Sequence, residues 1–233
     1  MNGQYAGIAP RVPALPLAHG MGQSSIICPR CTGRAQQDPA PHDRTAIPTV
    51  PCLPHARCCI RVWGMSRVVA LDTETTGISH RLGHRVIEIG AVELIDGQLS
   101  GRQFHTYLQP QRKVDWGAQR VHGISDAMLV GKPLFASKAA ELLAFLRGSE
   151  MVAHNATFDV GFLDNELRLA GIADGLAQHC RVTCSLKLAR SRWPGMPNKL
   201  DDVLQRLRIP GTRGLHGALK DAHLLAQVVP HLR

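Results

Sequence analysis

The most regular hydrophobic pattern in the chain begins at residue 67. Residues 67–73 open on an unbroken apolar run, Val68 to Leu71, of the kind a buried strand carries. "RVIEIGAVELI", residues 85–95, alternates apolar and polar positions and predicts a second strand. Asp96-Gly97 is a hairpin turn signal, so residues 98–108 follow as a third strand that ends near Pro110. Helical spacing appears at 136–147, and "MVAH", 151–154, is a short apolar strand. A helix is predicted from about 157 to 170, with Gly171 as its stop. Further helical patterns lie near 184–192, 199–207 and 217–229. Three antiparallel strands followed by alternating helices and strands predict an α/β domain with a mixed sheet. The chain shows no internal repeat.

Upstream of Met65 the periodicity is lost. Nine of the fifteen prolines lie there, there is no lysine, and Asp38 and Asp43 are the only acids. So many prolines interrupt both helical and alternating patterns. Residues 1–64 are therefore expected to form a disordered extension, and residues 65–233 the folded domain. Two sharper readings compete for the extension. Cys28-x2-Cys31 and Cys52-x2-His55, with Cys58 nearby, have spacings that suit a zinc site, but no strand or helix is predicted between them to hold it. The preferred alternative is that Met65, two residues before the first strand, is the natural start.

Charge adds a partner class. The net charge of +9 points to a polyanion such as nucleic acid, with a solvated basic surface as the plain alternative. No apolar run approaches a membrane span, and prolines at 10, 13 and 16 break any signal-peptide core. A soluble, cytoplasmic protein is expected, in which the seven cysteines do not form disulfides.

The candidate chemistry sits where elements end. Asp72 and Glu74 are two apart, so on a strand both leave the same face, while Thr73 points the other way. Adjacent carboxylates repel unless protonated, hydrated or bridged by a cation, and hard oxygen ligands select Mg²⁺ or Mn²⁺. A bare Asp-x-Glu is more often a solvated strand end. "HNATFD", 154–159, opens a helix in which Asn155 or Thr157 can cap and Asp159 falls in the first turn, a sufficient structural reason for an acid there. His216 and Asp221 are near neighbours at the start of the last helix. A histidine beside carboxylates can act as a general base.

Asp-x-Glu, Asn-x3-Asp and His-x4-Asp occur here as an ordered set. On these motifs the sequence resembles the DEDDh 3′→5′ exonucleases, a family named for four acids and a histidine. "GHRVIEIGAVEL", "FHTYLQP", "VHGISD", "AHNATFDVGFLDNEL", "NKLDDVL" and "LHGALKDAHLLA" extend the resemblance over about 67–232. They are similar to the exonuclease domain of the proofreading epsilon subunits of bacterial DNA polymerase III. The resemblance implies a ribonuclease H-like fold, a mixed five-stranded sheet flanked by helices. It also implies phosphodiester hydrolysis from the 3′ end with two divalent cations, Mg²⁺ or Mn²⁺, held by Asp72, Glu74, Asp159 and Asp221. His216 takes the place of the general base, and its four-residue gap to Asp221 fits the histidine class rather than the tyrosine class. Glu74, Thr75, His122 and Asp221 match substrate-binding positions, and Thr76 and the backbone at Gly77 border the terminal nucleotide. Trp116-Gly117-Ala118 stands where the family often has Pro-Glu-Ala, so the glutamate contact to the nucleotide is missing or replaced. The implied partners are a single-stranded or frayed 3′ end of DNA and the alpha and theta subunits of the polymerase, in the bacterial cytoplasm. Proofreading subunits usually continue into a tail that binds clamp and polymerase; with the last residue at Arg233, a shortened chain and a free-standing relative are the alternatives. An RNA-trimming exonuclease of the same family and a non-catalytic nucleic-acid-binding scaffold are the competing functions. Retention of all five catalytic positions argues against the scaffold.

Overall fold

A computed structural model describes residues 66–211 and 214–232, all of which fall in the unit Cys59–Arg233. The expected disordered extension, the candidate zinc ligands and the Met65 start lie outside the described residues.

Three long strands form the first half of the sheet: β1 (Arg67–Thr75), β2 (Val86–Ile95) and β3 (Gln98–Tyr107). The β2–β3 hairpin turns at Asp96 and Gly97, both with positive φ, as the Asp-Gly pair predicts. Two short helices follow, α1 (Trp116–His122) and α2 (Asp126–Leu129), then α3 (Phe135–Leu146). Strand β4 (Glu150–Ala153) leads into α4 (Ala156–Leu169). Strand β5 (Arg181–Cys184) runs without a break into α5 (Ser185–Arg192), and α6 (Leu200–Leu207) and α7 (Ala218–Val228) complete the domain. The strand order is β3-β2-β1-β4-β5. β1 pairs antiparallel with β2 and parallel with β4, so it lies at the centre of a mixed sheet. α1, α2 and β5 were absent from the periodic reading.

The alternation along β1 divides the core in two. Val69 and Leu71 face a cluster completed by Leu142 and Leu146 of α3 and by Phe162 and Leu163 of α4. Val68 and Ala70 face the other cluster, with Val203 of α6 and Ala222, Leu225 and Ala226 of α7. Burying a leucine or valine side chain contributes roughly 1.5–3 kcal/mol, so both helical layers are held mainly by apolar contact.

Helix ends follow the sequence closely, with one difference. Gly171 takes φ 78°, and Ile172 N–H bonds Leu167 C=O at 2.9 Å while Gly171 N–H bonds Arg168 C=O at 3.1 Å, a Schellman stop. Asn155 is the N-cap residue of α4, but it adopts the left-handed conformation, φ 72° and ψ 49°, and makes no side-chain cap. The predicted cap is thus present in position and replaced in mechanism: the chain turns there through a conformation asparagine tolerates.

Two buried glutamates fasten the fold, one joining a helix to the sheet and the other tying three strands together. Glu166 of α4 accepts 2.7 Å hydrogen bonds from Nε and Nη2 of Arg85, and a third, 3.1 Å, from Val86 N–H. Glu93 of β2 accepts from Arg67 Nε at 2.6 Å, Ser100 Oγ at 2.7 Å and Arg102 Nη1 at 3.0 Å. These contacts satisfy carboxylates that would be costly to bury alone. They also hold the Glu93 carboxyl below its ordinary range despite the opposing effect of burial, the largest single influence on it.

Candidate active site

The site forms where β1 leaves the sheet. Asp72 and Glu74 lie on the same face as Val68 and Ala70, the face covered by α7. α7 brings Asp221, which is fully buried, and the segment before it brings His216, whose side chain is 34% exposed. Nδ1 of His216 lies 3.7 Å from Oδ2 of Asp221. Ligand atoms of Glu74, His216 and Asp221 all lie within 4.8 Å of one another.

A close fit between α7 and β2 makes this convergence achievable. Gly90 pairs with Asp72 in the sheet register. A Cβ at Gly90 would lie 2.2 Å from Leu219 N and 2.3 Å from Ala218 C, so only the bare backbone of glycine lets the helix start rest on the strand. Glu88, which pairs with Glu74 across the strands, is buried. Its Oε2 accepts the Ala218 N–H at 3.1 Å and its Oε1 lies 2.8 Å from His105 Nε2. Glu88 thus positions the first turn of the helix that carries Asp221. Sequence reasoning did not single it out, although period-two alternation places Glu88 on the inward face with Val92 and Leu94.

Asp159 approaches from the opposite side. It lies in the first turn of α4 and accepts a 2.8 Å hydrogen bond from Oγ1 of Thr73, whose side chain leaves the other face of β1. Burial pushes its carboxyl up to about 7, a rise that the Thr73 hydroxyl and backbone hydrogen bonds oppose. The structure therefore brings Glu74, His216 and Asp221 into one cluster and holds Asp159 on the neighbouring residue of the same strand. Asp72 lines a cleft of 670 Å³ with His216, Asn155, His154, Arg190 and Lys199.

The remaining positions border this centre. His122, at the end of α1, is buried; its Nδ1 accepts the Ile124 N–H at 3.0 Å. Nε2 then carries the proton, and among the described residues it has no partner in hydrogen-bond geometry. Burial lowers the pKa of His122, and the Thr75 backbone partly offsets this. Thr75 Oγ1 donates to Gly77 C=O at 2.6 Å, and Thr76 Oγ1 lies 3.1 Å from His84 Nδ1. The turn that follows the acids is thereby fixed.

Two buried carboxylates at this separation are hard oxygen donors that suit a divalent cation, because a bridging cation offsets their repulsion, and the His216 imidazole beside them can take up a proton. A mixed sheet with such a cluster at the end of its central strand is an arrangement suited to cation-assisted hydrolysis.

Comparison with known proteins specifies the family. The exonuclease family, typified by RNase T, matches residues 69–229. The DNA polymerase III epsilon subunit of Salmonella typhimurium is 48% identical over 170 residues, covering 70% of each chain. That of Escherichia coli is 47% identical over 170 residues with the same coverage. The structure of exonuclease X in complex with 5′ overhanging duplex DNA superposes with a TM-score of 0.57 at 26% identity, covering 72% of this chain and 90% of that one. The chain therefore belongs to the exonuclease family and is a 3′→5′ exonuclease of the DEDDh type with the ribonuclease H-like fold. Members of this family are typically metal-dependent. Among the described residues no helix is long and apolar enough to cross a membrane.

Proposed function

We propose that this chain removes nucleotides from a single-stranded or frayed 3′ end of DNA as the proofreading exonuclease of a bacterial DNA polymerase III, acting with that polymerase's alpha and theta subunits in the cytoplasm. The convergence of Glu74, His216 and Asp221 at the end of β1 carries the reading. The similarity to polymerase III epsilon subunits supports DNA as the substrate.

Asp72, Glu74, Asp159 and Asp221 are the residues that would hold two divalent cations, Mg²⁺ or Mn²⁺. When bound, such ions lower the pKa of a coordinated water and offset charge on the phosphate oxygens. His216 accepts the proton of the attacking water: its ring is open enough to exchange with solvent, and Asp221 at 3.7 Å steadies the imidazolium that forms. Burial disfavours the Asp159 anion, which Thr73 holds in place, and a bound cation would offset that cost. His122 offers its buried Nε2–H to the substrate beside Thr75. Glu74 and Asp221 complete the pocket for the terminal nucleotide.

The test is digestion of 5′-labelled single-stranded DNA and RNA by the full chain in Mg²⁺, in Mn²⁺ and in EDTA. A cation-dependent ladder shortening from the 3′ end, faster on DNA and abolished in Asp72→Ala with Glu74→Ala, is expected. Equal activity in EDTA would sink the mechanism, and faster cutting of RNA would make the chain an RNA-trimming enzyme. Failure to co-purify with a bacterial alpha subunit would remove the polymerase from the reading.

A further inference from the structure

The first residue of α1 is out of character for a folded surface. Trp116 is 72% exposed, and the guanidinium of Arg120 lies 4.7 Å from its ring centroid. Large aromatic surfaces are ordinarily covered, and an exposed indole beside an arginine is the arrangement on which single-stranded nucleic acid stacks its bases. The backbone under Trp116 is rigidly placed against the catalytic strand. Asp115 N–H bonds Thr76 C=O at 3.0 Å, and His84 Nε2 lies 3.5 Å from Asp115 Oδ2. The other end of the helix is tied to the active-site histidine, since His216 N–H bonds Val121 C=O at 3.1 Å. Gly117 offers no side chain here, and a Cβ built on it would meet nothing within 4 Å. The helix surface at Gly117 is therefore open.

α1 thus runs from the inner wall of the site, at His122, to its rim, at Trp116. The two are six positions apart on the helix, a rise of about 9 Å, against about 3.4 Å per nucleotide along a stacked strand. We propose that Trp116, supported by Arg120, is a stacking platform for a base 5′ to the terminal nucleotide, and that it favours unpaired over paired 3′ ends. A base engaged in a duplex has both faces stacked and cannot lie on the indole. This inference rests on the nuclease reading above.

The experiment compares the full chain with Trp116→Ala and Trp116→Phe on an oligothymidylate carrying one abasic position, moved stepwise from the 3′ end. Hydrolysis of the p-nitrophenyl ester of thymidine 5′-monophosphate, which has no preceding base, serves as the reference. Trp116→Ala is expected to raise KM for the intact oligonucleotide about tenfold, in line with one lost base stack. Trp116→Phe recovers most of this, and the ester is cut at the parental rate. The parent loses a similar factor when the second or third position is abasic, and Trp116→Ala loses nothing more at that position. Parent and Trp116→Ala losing equally at every abasic position, or coupling only at the terminal one, overturns the stacking role. Inactivity of the parent on both substrates overturns the nuclease reading instead.

Discussion

Glu166→Gln is the most informative single change to the scaffold. The carboxylate is 1% exposed and accepts from both Nε and Nη2 of Arg85 and from Val86 N–H, joining α4 to β2. The amide keeps the shape, and its oxygen can still accept from Val86 N–H and Arg85 Nε, but its NH2 group then faces Arg85 Nη2 and the guanidinium loses its counter-charge. Breaking a buried pair costs about 3–5 kcal/mol. The Arg85 side chain is 21% exposed, so water recovers part of the loss and the lower end applies, about 3 kcal/mol. For a domain of this size each kcal/mol moves the midpoint by about 2–4 °C, giving a fall of about 6–12 °C. Thermal denaturation of the full chain followed by circular dichroism, with urea titration as a check, reads it. The double variant Arg85→Met with Glu166→Met removes both charges and should lose less than Glu166→Gln alone. A shift below about 2 °C in the single variant, or a double variant weaker than the single, would refute the assignment of the pair as the fastening of α4.

Other outcomes follow from the site. In EDTA, Asp159 contributes stability that is present at acid pH and is lost as pH rises through about 7, because its folded pKa is raised above the ordinary 3.8; urea midpoints should fall over this range in the parent and stay level in Asp159→Asn. Gly90→Ala forces α7 off β2 and is expected to cost about 1–3 kcal/mol, with a loss of kcat at temperatures where the protein is still folded; normal activity and stability together would contradict the packing. Glu88→Ala leaves the Ala218 N–H and His105 without their acceptor and should weaken Mn²⁺ activation by about 10- to 100-fold, measured by titrating the metal against rate.

The long strands and helices were legible because each carries its own repeat. β2 is a ten-residue, mostly apolar run, the Asp-Gly turn fixes the hairpin, and Gly171 marks the end of α4. What was not legible is short or relational. α1 and α2, with seven and four residues, span no more than two helical turns, too few for a repeat to stand out, and α1 buries only His122. β5 has four residues and passes directly into α5, so no turn residue separates two patterns. At the site, the shared face of Asp72 and Glu74 follows from strand geometry alone. The bond from Thr73 to Asp159 spans 86 residues and arises only when α4 docks. The same is true of Glu88 and Gly90, whose roles are set by where α7 lands.

The division of the core by β1 has a kinetic consequence. Asp159 belongs to a helix on one face of the sheet and Asp221 to a helix on the other, so the acids are clasped from two sides by packing that can open independently. Release of either helix separates them while the strand pairing persists. Local opening of a packed element costs at most the free energy of global unfolding, and often less. Heat should therefore silence the enzyme before its sheet melts, and the rate of 3′-end cleavage becomes a gauge of how firmly each half of the protein is closed.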